Sequence, residues 1–207
     1  MKIRILVFEG ADELDFIGPL EVFRRLATLA DAIDVRLVAI ERTLESWQQV
    51  TAAYGLRVVP DGLLYDNANL LVVPGGGWAS HSPHGIRHEI ERGLLPQRIA
   101  ELHAKGCVIA GVCTGTMALA AAGLLDGRPA VTHHAALPDL RLTSAKVVEA
   151  RVVDDGDIVT CGGVTSSLDL ALHLVERFQS RTLADEIAAA MEYARNTDVY
   201  HAKVMRL

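Results

Sequence analysis

The stretch Val108-Ile109-Ala110-Gly111-Val112-Cys113-Thr114-Gly115-Thr116 decides the fold. Its first five residues form a short apolar run of the kind that builds a buried strand. From Thr114 a run of small residues, Thr-Gly-Thr-Met-Ala-Leu-Ala-Ala-Ala-Gly, reads as a helix. A strand that passes directly into a helix, with glycines two before and two after a cysteine, has the form of a nucleophile elbow. The glycines let strand and helix approach closely around a strained turn. The thiol then stands at the carboxyl end of a sheet strand, where α/β proteins bind ligands. A helix N-terminus also favours the thiolate, so the sequence predicts a lowered pKa. Cys113 is therefore the candidate nucleophile. Cys107 begins one strand and Cys161 ends another, and both are assigned a structural role as small buried hydrophobes.

On both sides of the elbow, strand-like and helix-like runs alternate. Residues 2–8, 34–40, 69–74, 129–132, 146–153 and 158–161 are apolar and β-rich, and 56–60 is a short extended piece. Gly18-Pro19 opens a helix with Pro in its first turn, followed by Leu20, Phe23, Leu26 and Ala27 at helical spacing. Residues 87–105, 166–179 and 183–195 are further helices, and 78–85, with His81 and His84, is a polar loop. Asp154-Asp155-Gly156-Asp157 is the turn of a hairpin. This alternation predicts a doubly wound, flavodoxin-like α/β fold. It has a mostly parallel sheet, helices on both faces and a small β-hairpin, in a single domain over residues 1–207.

Composition sets limits on function. The chain has 207 residues, is 50% hydrophobic, and carries 20 Lys+Arg against 26 Asp+Glu, a net charge of −6. Its mean hydropathy is +0.24. Disorder is excluded, since it needs low hydrophobicity and high net charge. A mildly acidic chain has no basic footprint for nucleic acid. No apolar run reaches the roughly 20 residues of a membrane helix, and no signal peptide is evident. Three scattered cysteines without a CxxC or CxxH pair give neither a disulfide framework nor a structural zinc site. A cytoplasmic protein with free thiols, a small-molecule substrate, no membrane or nucleic-acid partner, and no cofactor or metal is the expectation.

Gly75-Gly76-Gly77 follows a core strand. Its N–H groups, with that of Thr114, form a candidate oxyanion hole; the competing reading is a tight turn. It is not a dinucleotide signature, because no G-x-G-x-x-G is present. Trp78 directly follows and is placed in the pocket, whereas Trp47 is assigned to the surface and the mixed-sign run 87–92 to a solvated helix face.

Several motifs occur together in one order. They are Leu14-Asp15-Phe16-Ile17-Gly18-Pro19, Val73-Pro74-Gly75-Gly76, Gly111-Val112-Cys113-Thr114-Gly115, residues 120–128 (AAAGLLDGR), Ala130-Val131-Thr132-His133 and Gly162-Gly163-Val164-Thr165-Ser166-Ser167-Leu168-Asp169. In this the chain resembles the ThiJ/PfpI superfamily of class-I glutamine-amidotransferase-like proteins, over residues 1 to about 193. It looks most like the isocyanide hydratase branch, which also includes the ligand-sensing domains of AraC-type regulators. The resemblance implies a homodimer in which Asp15 faces Cys113 and His133 lies near the cysteine. Beside a thiolate a carboxyl pKa rises, so a protonated Asp15 suits general acid/base work; alternatively it caps the helix that follows. Thr114 stands where the protease and glyoxalase-like branches carry His, which argues against a Cys–His dyad. His134 stands where hydratase-like sequences carry Trp and is placed in the substrate pocket. Consecutive histidines on an extended segment point oppositely, which argues against a metal there. Thr165 and Asp169 have a site role or cap the helix beginning near Ser166.

These residues imply a cysteine-nucleophile hydratase or lyase acting on a small electrophile, isocyanide hydratase-like. The alternatives are a non-catalytic small-molecule or redox sensor, and a glyoxalase- or deglycase-like enzyme. With the last residue at Leu207, a following helix-turn-helix module is not expected.

Overall fold

The computed structural model describes residues 1–41, 49–65, 67–80 and 82–202. Trp47 and His81 lie outside the described residues. In chain order the elements are β1 (Lys2–Leu6), α1 (Glu13–Leu29), β2 (Asp34–Ala39), β3 (Val50–Thr51), β4 (Arg57–Val58), β5 (Gly62–Leu63), β6 (Leu70–Val73), α2 (Ile86–Arg92) and α3 (Leu94–Ala104). There follow β7 (Val108–Val112), α4 (Gly115–Ala121), β8 (Pro129–Ala130), a 3-10 turn (His134–Ala136), α5 (Leu137–Arg141), β9 (Lys146–Val147), β10 (Val152–Asp154), β11 (Ile158–Cys161), α6 (Ser166–Phe178), α7 (Arg181–Ala190) and β12 (Val199–His201).

The main sheet has the order β12-β10-β11-β7-β6-β1-β2-β5. All its neighbours run parallel except the β10–β11 hairpin, where Val152 faces Cys161 and Asp154 faces Val159. The parallel core, β2-β1-β6-β7-β11, is the flavodoxin-like order, with its topological switch point between β1 and β6. Helices α1, α6 and α7 pack together as one layer, and α2, α3 and α4 as the other. Strands β6 and β7 are therefore covered on both sides, which explains their uninterrupted apolar runs.

The alternation read from the sequence is the observed one, with local differences. Helix α1 starts at Glu13, so Pro19 is interior rather than in the first turn, and Asp15 lies within the helix rather than ahead of it as a cap. Pro19 has no N–H to give the Asp15 carbonyl, yet its ring is buried with Phe16, Val22, Phe23 and Leu26, and that packing keeps the helix continuous. The helix expected over 87–105 breaks at Gly93, which adopts a left-handed conformation (φ +79°) that caps α2 and starts α3. The run 146–153 divides into β9, which pairs with β8 in a small separate sheet, and β10 of the main sheet. The last helix stops at Ala190, and β12 adds an edge strand that the sequence reading missed.

Candidate functional site

Three loops meet at the carboxyl edge of the sheet: those after β1, β6 and β7. Cys113 ends β7 with φ +55°, the left-handed region that a non-glycine residue enters only when its surroundings hold it there. The holding groups are visible. Its N–H donates to Gly162 O at 3.2 Å, and its carbonyl accepts from Thr132 Oγ1 at 2.9 Å. Gly115 lets the helix start against the neighbouring strand, since a Cβ there would lie 2.1 Å from Val73 O. The elbow predicted from the glycine spacing is thus present in the backbone.

Asp15, in the first turn of α1, is fully buried beside this elbow. Its Oδ2 accepts a hydrogen bond from Gly75 N at 3.0 Å. The carboxyl also stands against the Cys113 thiol and the Val164 N–H, while Oδ1 makes no hydrogen bond among the described residues. Burial, reinforced by the nearby Asp12 carboxylate and opposed by the Gly75 N–H and Cys113, pushes the Asp15 pKa up to about 8. Burial therefore wins over the helix N-terminus, which favours the ionised form. Because Gly75 fixes Oδ2 as an acceptor, the acid proton of neutral Asp15 falls to Oδ1.

The Cys113 thiol does not follow the sequence expectation. It is 5% exposed. Burial, and then the charge of Asp15, raise its pKa; the hydrogen bond from the Thr114 N–H only partly offsets them. The helix N-terminus that predicted a lowered value acts on a thiol that the sequence could not show to be desolvated. Cys107 is buried and pushed up to about 12, and Cys161 is fully buried and also raised.

The glycine loop is partly committed to the site's own architecture. Gly75 N–H holds Asp15, and Gly76 N–H donates to Thr114 Oγ1 at 3.0 Å. This gives Thr114 a positioning task that the sequence reading did not foresee: its hydroxyl ties the glycine loop to the elbow. The Gly77 N–H donates to no backbone or side-chain acceptor among the described residues, whereas the Thr114 N–H is turned to the Cys113 sulfur.

A cavity of about 250 Å³ opens over the thiol, lined by Asp12, Tyr54, Gly76, Gly77, Trp78, Cys113, Thr114, His133 and Val164 among others. Trp78 is fixed by an Nε1 hydrogen bond to Asp139 Oδ2 at 2.6 Å and by the Arg87 guanidinium 4.0 Å over its ring. Within the run 87–92, Arg87 is thus a clamp on a cavity residue. His133 packs on Gly163, where a Cβ would sit 2.1 Å from His133 Cδ2. His133 Nδ1 accepts from Ala135 N, which leaves the neutral ring's proton on Nε2; burial and then His134 lower its pKa.

His134 is exposed, does not line the cavity, and stacks on His133 at 4.1 Å rather than pointing oppositely. The cause is the 3-10 turn that begins at His134, which ends the extended backbone. Thr165 also lies outside the cavity lining. It accepts from Arg151 Nη2 at 3.2 Å, and Arg151 in turn pairs with the buried Asp169. Asp169 also accepts from Tyr193 OH and Asn196 N, so this pair anchors the start of α6 rather than capping it. Between Gly163 and Thr165 stands Val164 at φ +45°, with its N–H toward Asp15 and Cys113. The sequence reading had not placed Asp12, Tyr54 or Val164 at the site. Only the position of Val164 within the quoted glycine motif offered a signal. Among the described residues no group of three His, Cys, Asp or Glu is arranged to hold a metal ion, and no helix is long and apolar enough to cross a membrane.

The sequence matches the DJ-1/PfpI family over residues 1–177. It is 33% identical to the isonitrile hydratase of Pseudomonas putida over 199 residues, covering 94% of this chain and 79% of that one. It is 31% identical to the HTH-type transcriptional regulator GbdR of Pseudomonas aeruginosa, covering 82% of this chain and 48% of the regulator. The crystal structure of a ThiJ/PfpI family protein from Pseudomonas syringae superposes with a TM-score of 0.79 at 29% identity, covering 94% of this chain and 76% of that one. Drosophila melanogaster DJ-1beta superposes at 0.78 with 23% identity, covering 93% and 98%, a likeness of fold.

Proposed function

The chain belongs to the DJ-1/PfpI family, and on that premise we propose that it is a cysteine-dependent hydratase for a small electrophile, of the isonitrile hydratase kind, turning an isocyanide into an N-substituted formamide. The observation that carries this reading is the pair at the cavity floor. Cys113 is held at a strained elbow beside a buried carboxyl that keeps its proton at neutral pH.

The chemistry balances on that pair. Cys113 Sγ bonds to the terminal carbon of R–N≡C. Asp15 Oδ1 delivers its proton to that carbon and recovers the thiol proton, giving a thioimidate, R–N=CH–S–Cys113. Water adds to the same carbon, with one proton passing to nitrogen. The C–S bond then breaks as the hydroxyl proton returns to sulfur through Asp15, releasing R–NH–CHO. The Gly77 N–H is the available donor for developing negative charge or for the attacking water, and the Thr114 N–H supports the sulfur. The small cavity suits a compact R group. No step requires a cofactor.

The test is formamide production from a simple alkyl isocyanide by wild type and Cys113→Ser. The variant should lose activity almost completely, because a serine hydroxyl without an adjacent base is a poor nucleophile. Surviving turnover refutes the nucleophile; a wild type inert toward every isocyanide refutes the substrate. The likeness to a transcriptional regulator supports a second reading, a small-molecule sensor. It predicts ligand binding without turnover. A methylglyoxal arm tests the glyoxalase-like alternative.

A further inference from the structure

The opposite edge of the sheet carries a second site. Asp154 ends β10 and faces Val159 near the start of β11, whereas Cys113 lies beyond the far end of that strand, against Gly162. Here α6, α7, the segment after α7 and β12 enclose a cavity of about 490 Å³ lined by Asp154, His173, Glu176, Arg177, Arg181, Arg195, Thr197, Val199 and His201. Only Val199 among these is apolar.

Its hydrogen-bonding balance is one-sided. Both Asp154 oxygens are engaged: His173 Nε2 lies 2.7 Å from Oδ2, while Gly156 N and Arg177 Nη1 donate to Oδ1. Arg195 has a side chain only 8% exposed, and its Nη2 and Nη1 are held by Glu176 at 2.5 Å and Asp185 at 2.8 Å. Its Nε is buried and has no hydrogen-bond partner. Arg177 uses only Nη1, on Asp154 and Gly156 O, and Arg181 uses only Nε, on Asp185 at 3.4 Å. The Thr197 hydroxyl and the His201 ring form no hydrogen bond among the described residues; His201 lies opposite Asp154 in register, its ring 5.5 Å from that of His173. Among the carboxylate oxygens of the lining, only Glu176 Oε1 is left over. A lining with spare guanidinium donors on three arginines and one spare carboxylate oxygen is built for an oxygen-rich anion.

We propose that this cavity binds a phosphate group, free or carried by a small molecule, at a site separate from Cys113. Fanned arginine donors with a hydroxyl match the several oxygens of a tetrahedral oxyanion, and the volume leaves room for an organic body beside it. The buried Arg195 is pre-set by its two carboxylates, so little rotamer freedom is left to lose when a ligand binds.

The experiment is a ¹H–¹⁵N titration of the full chain, observing arginine Nε–Hε signals, with inorganic phosphate, with glycerol phosphate, and with sodium chloride at matched ionic strength. Saturable shifts of Arg195, Arg177 and Arg181 with either phosphate, and not with chloride, are expected. Stronger binding of glycerol phosphate identifies a small-molecule ester as the occupant, and equal binding identifies the free ion. Arg181→Ala removes an exposed side chain and should keep the melting temperature while weakening binding about tenfold. Cys113→Ser should bind unchanged, which separates this site from the proposed hydratase. Absence of shifts at millimolar phosphate, shifts reproduced by chloride, or unchanged affinity in Arg181→Ala each overturns the proposal.

Discussion

At the residue scale, the site is governed by one carboxyl. Asp15 occupies a helix N-terminus, where ionisation is favoured, yet burial raises its pKa to about 8. If the protonated form is the acid of the proposed reaction, kcat/KM should stay level below that value and decline as pH rises through it. Asp15→Asn accepts the same hydrogen bond from Gly75 but has no acid proton to give. Its kcat/KM should fall by roughly 10²-fold or more, with the fold retained. A variant of near wild-type activity, or a wild-type profile flat through pH 8, would show that Asp15 is structural. Cys113, its partner, was identifiable from sequence because glycine spacing is a local property. Its raised thiol pKa was not, because desolvation comes from residues distant in the chain, Asp15 foremost among the charged ones.

At the scale of elements, the close approach of β6, β7 and α4 forms the elbow. Gly115→Ala would press a Cβ to 2.1 Å from Val73 O and 2.8 Å from Pro74 O, backbone atoms that cannot turn aside. The cost should be about 3 kcal/mol, lowering Tm by roughly 6–12 °C in a chain of this size. Gly123→Ala is the comparison: at φ +74° with nothing within 4 Å, it meets only backbone strain, about 1 kcal/mol. Thermal melts of equal depression would refute the contact argument. Elements with strong periodicity, such as α6 and the core strands, were legible in sequence. The true start of α1 was not. Pro19 suggests a first turn by its chemistry, but tertiary burial of Phe16 and Asp15 extends the helix past it. β12 escaped notice because three residues at a sheet edge carry almost no pattern; pairing with β10 defines them.

At the scale of the whole molecule, the two edges of the sheet respond oppositely to pH. The raised Asp15 pKa means the native state holds that proton more tightly than the unfolded chain. Its contribution is complete below the ordinary value of 3.8 and is lost as pH rises toward about 8. For Asp154, burial raises the pKa, but His173, the Gly156 N–H and Arg177 together outweigh it and the net shift is downward. Its contribution is complete above 3.8 and is lost as pH falls through its lowered value. Melting curves from pH 2 to 9 should therefore show Asp15→Asn flattening the decline on the alkaline side. Asp154→Asn should cost about 2 kcal/mol near neutrality, with the difference vanishing in acid. Interchanged effects, or parallel curves, would refute the assignment. The alternation of strands and helices, the doubly wound sheet, the hairpin at Gly156 and the elbow at Cys113 are all legible in the residues alone, because each is written in periodicity or in spacing along a few consecutive residues. Packing of distant segments commits the Gly75 and Gly76 N–H groups to Asp15 and Thr114, leaves His134 outside the cavity lining while Val164 and Tyr54 belong to it, and raises the pKa of both the thiol and its carboxyl neighbour. Those outcomes depend on which distant elements meet at the sheet's edge and how completely they exclude water, and no local pattern encodes that.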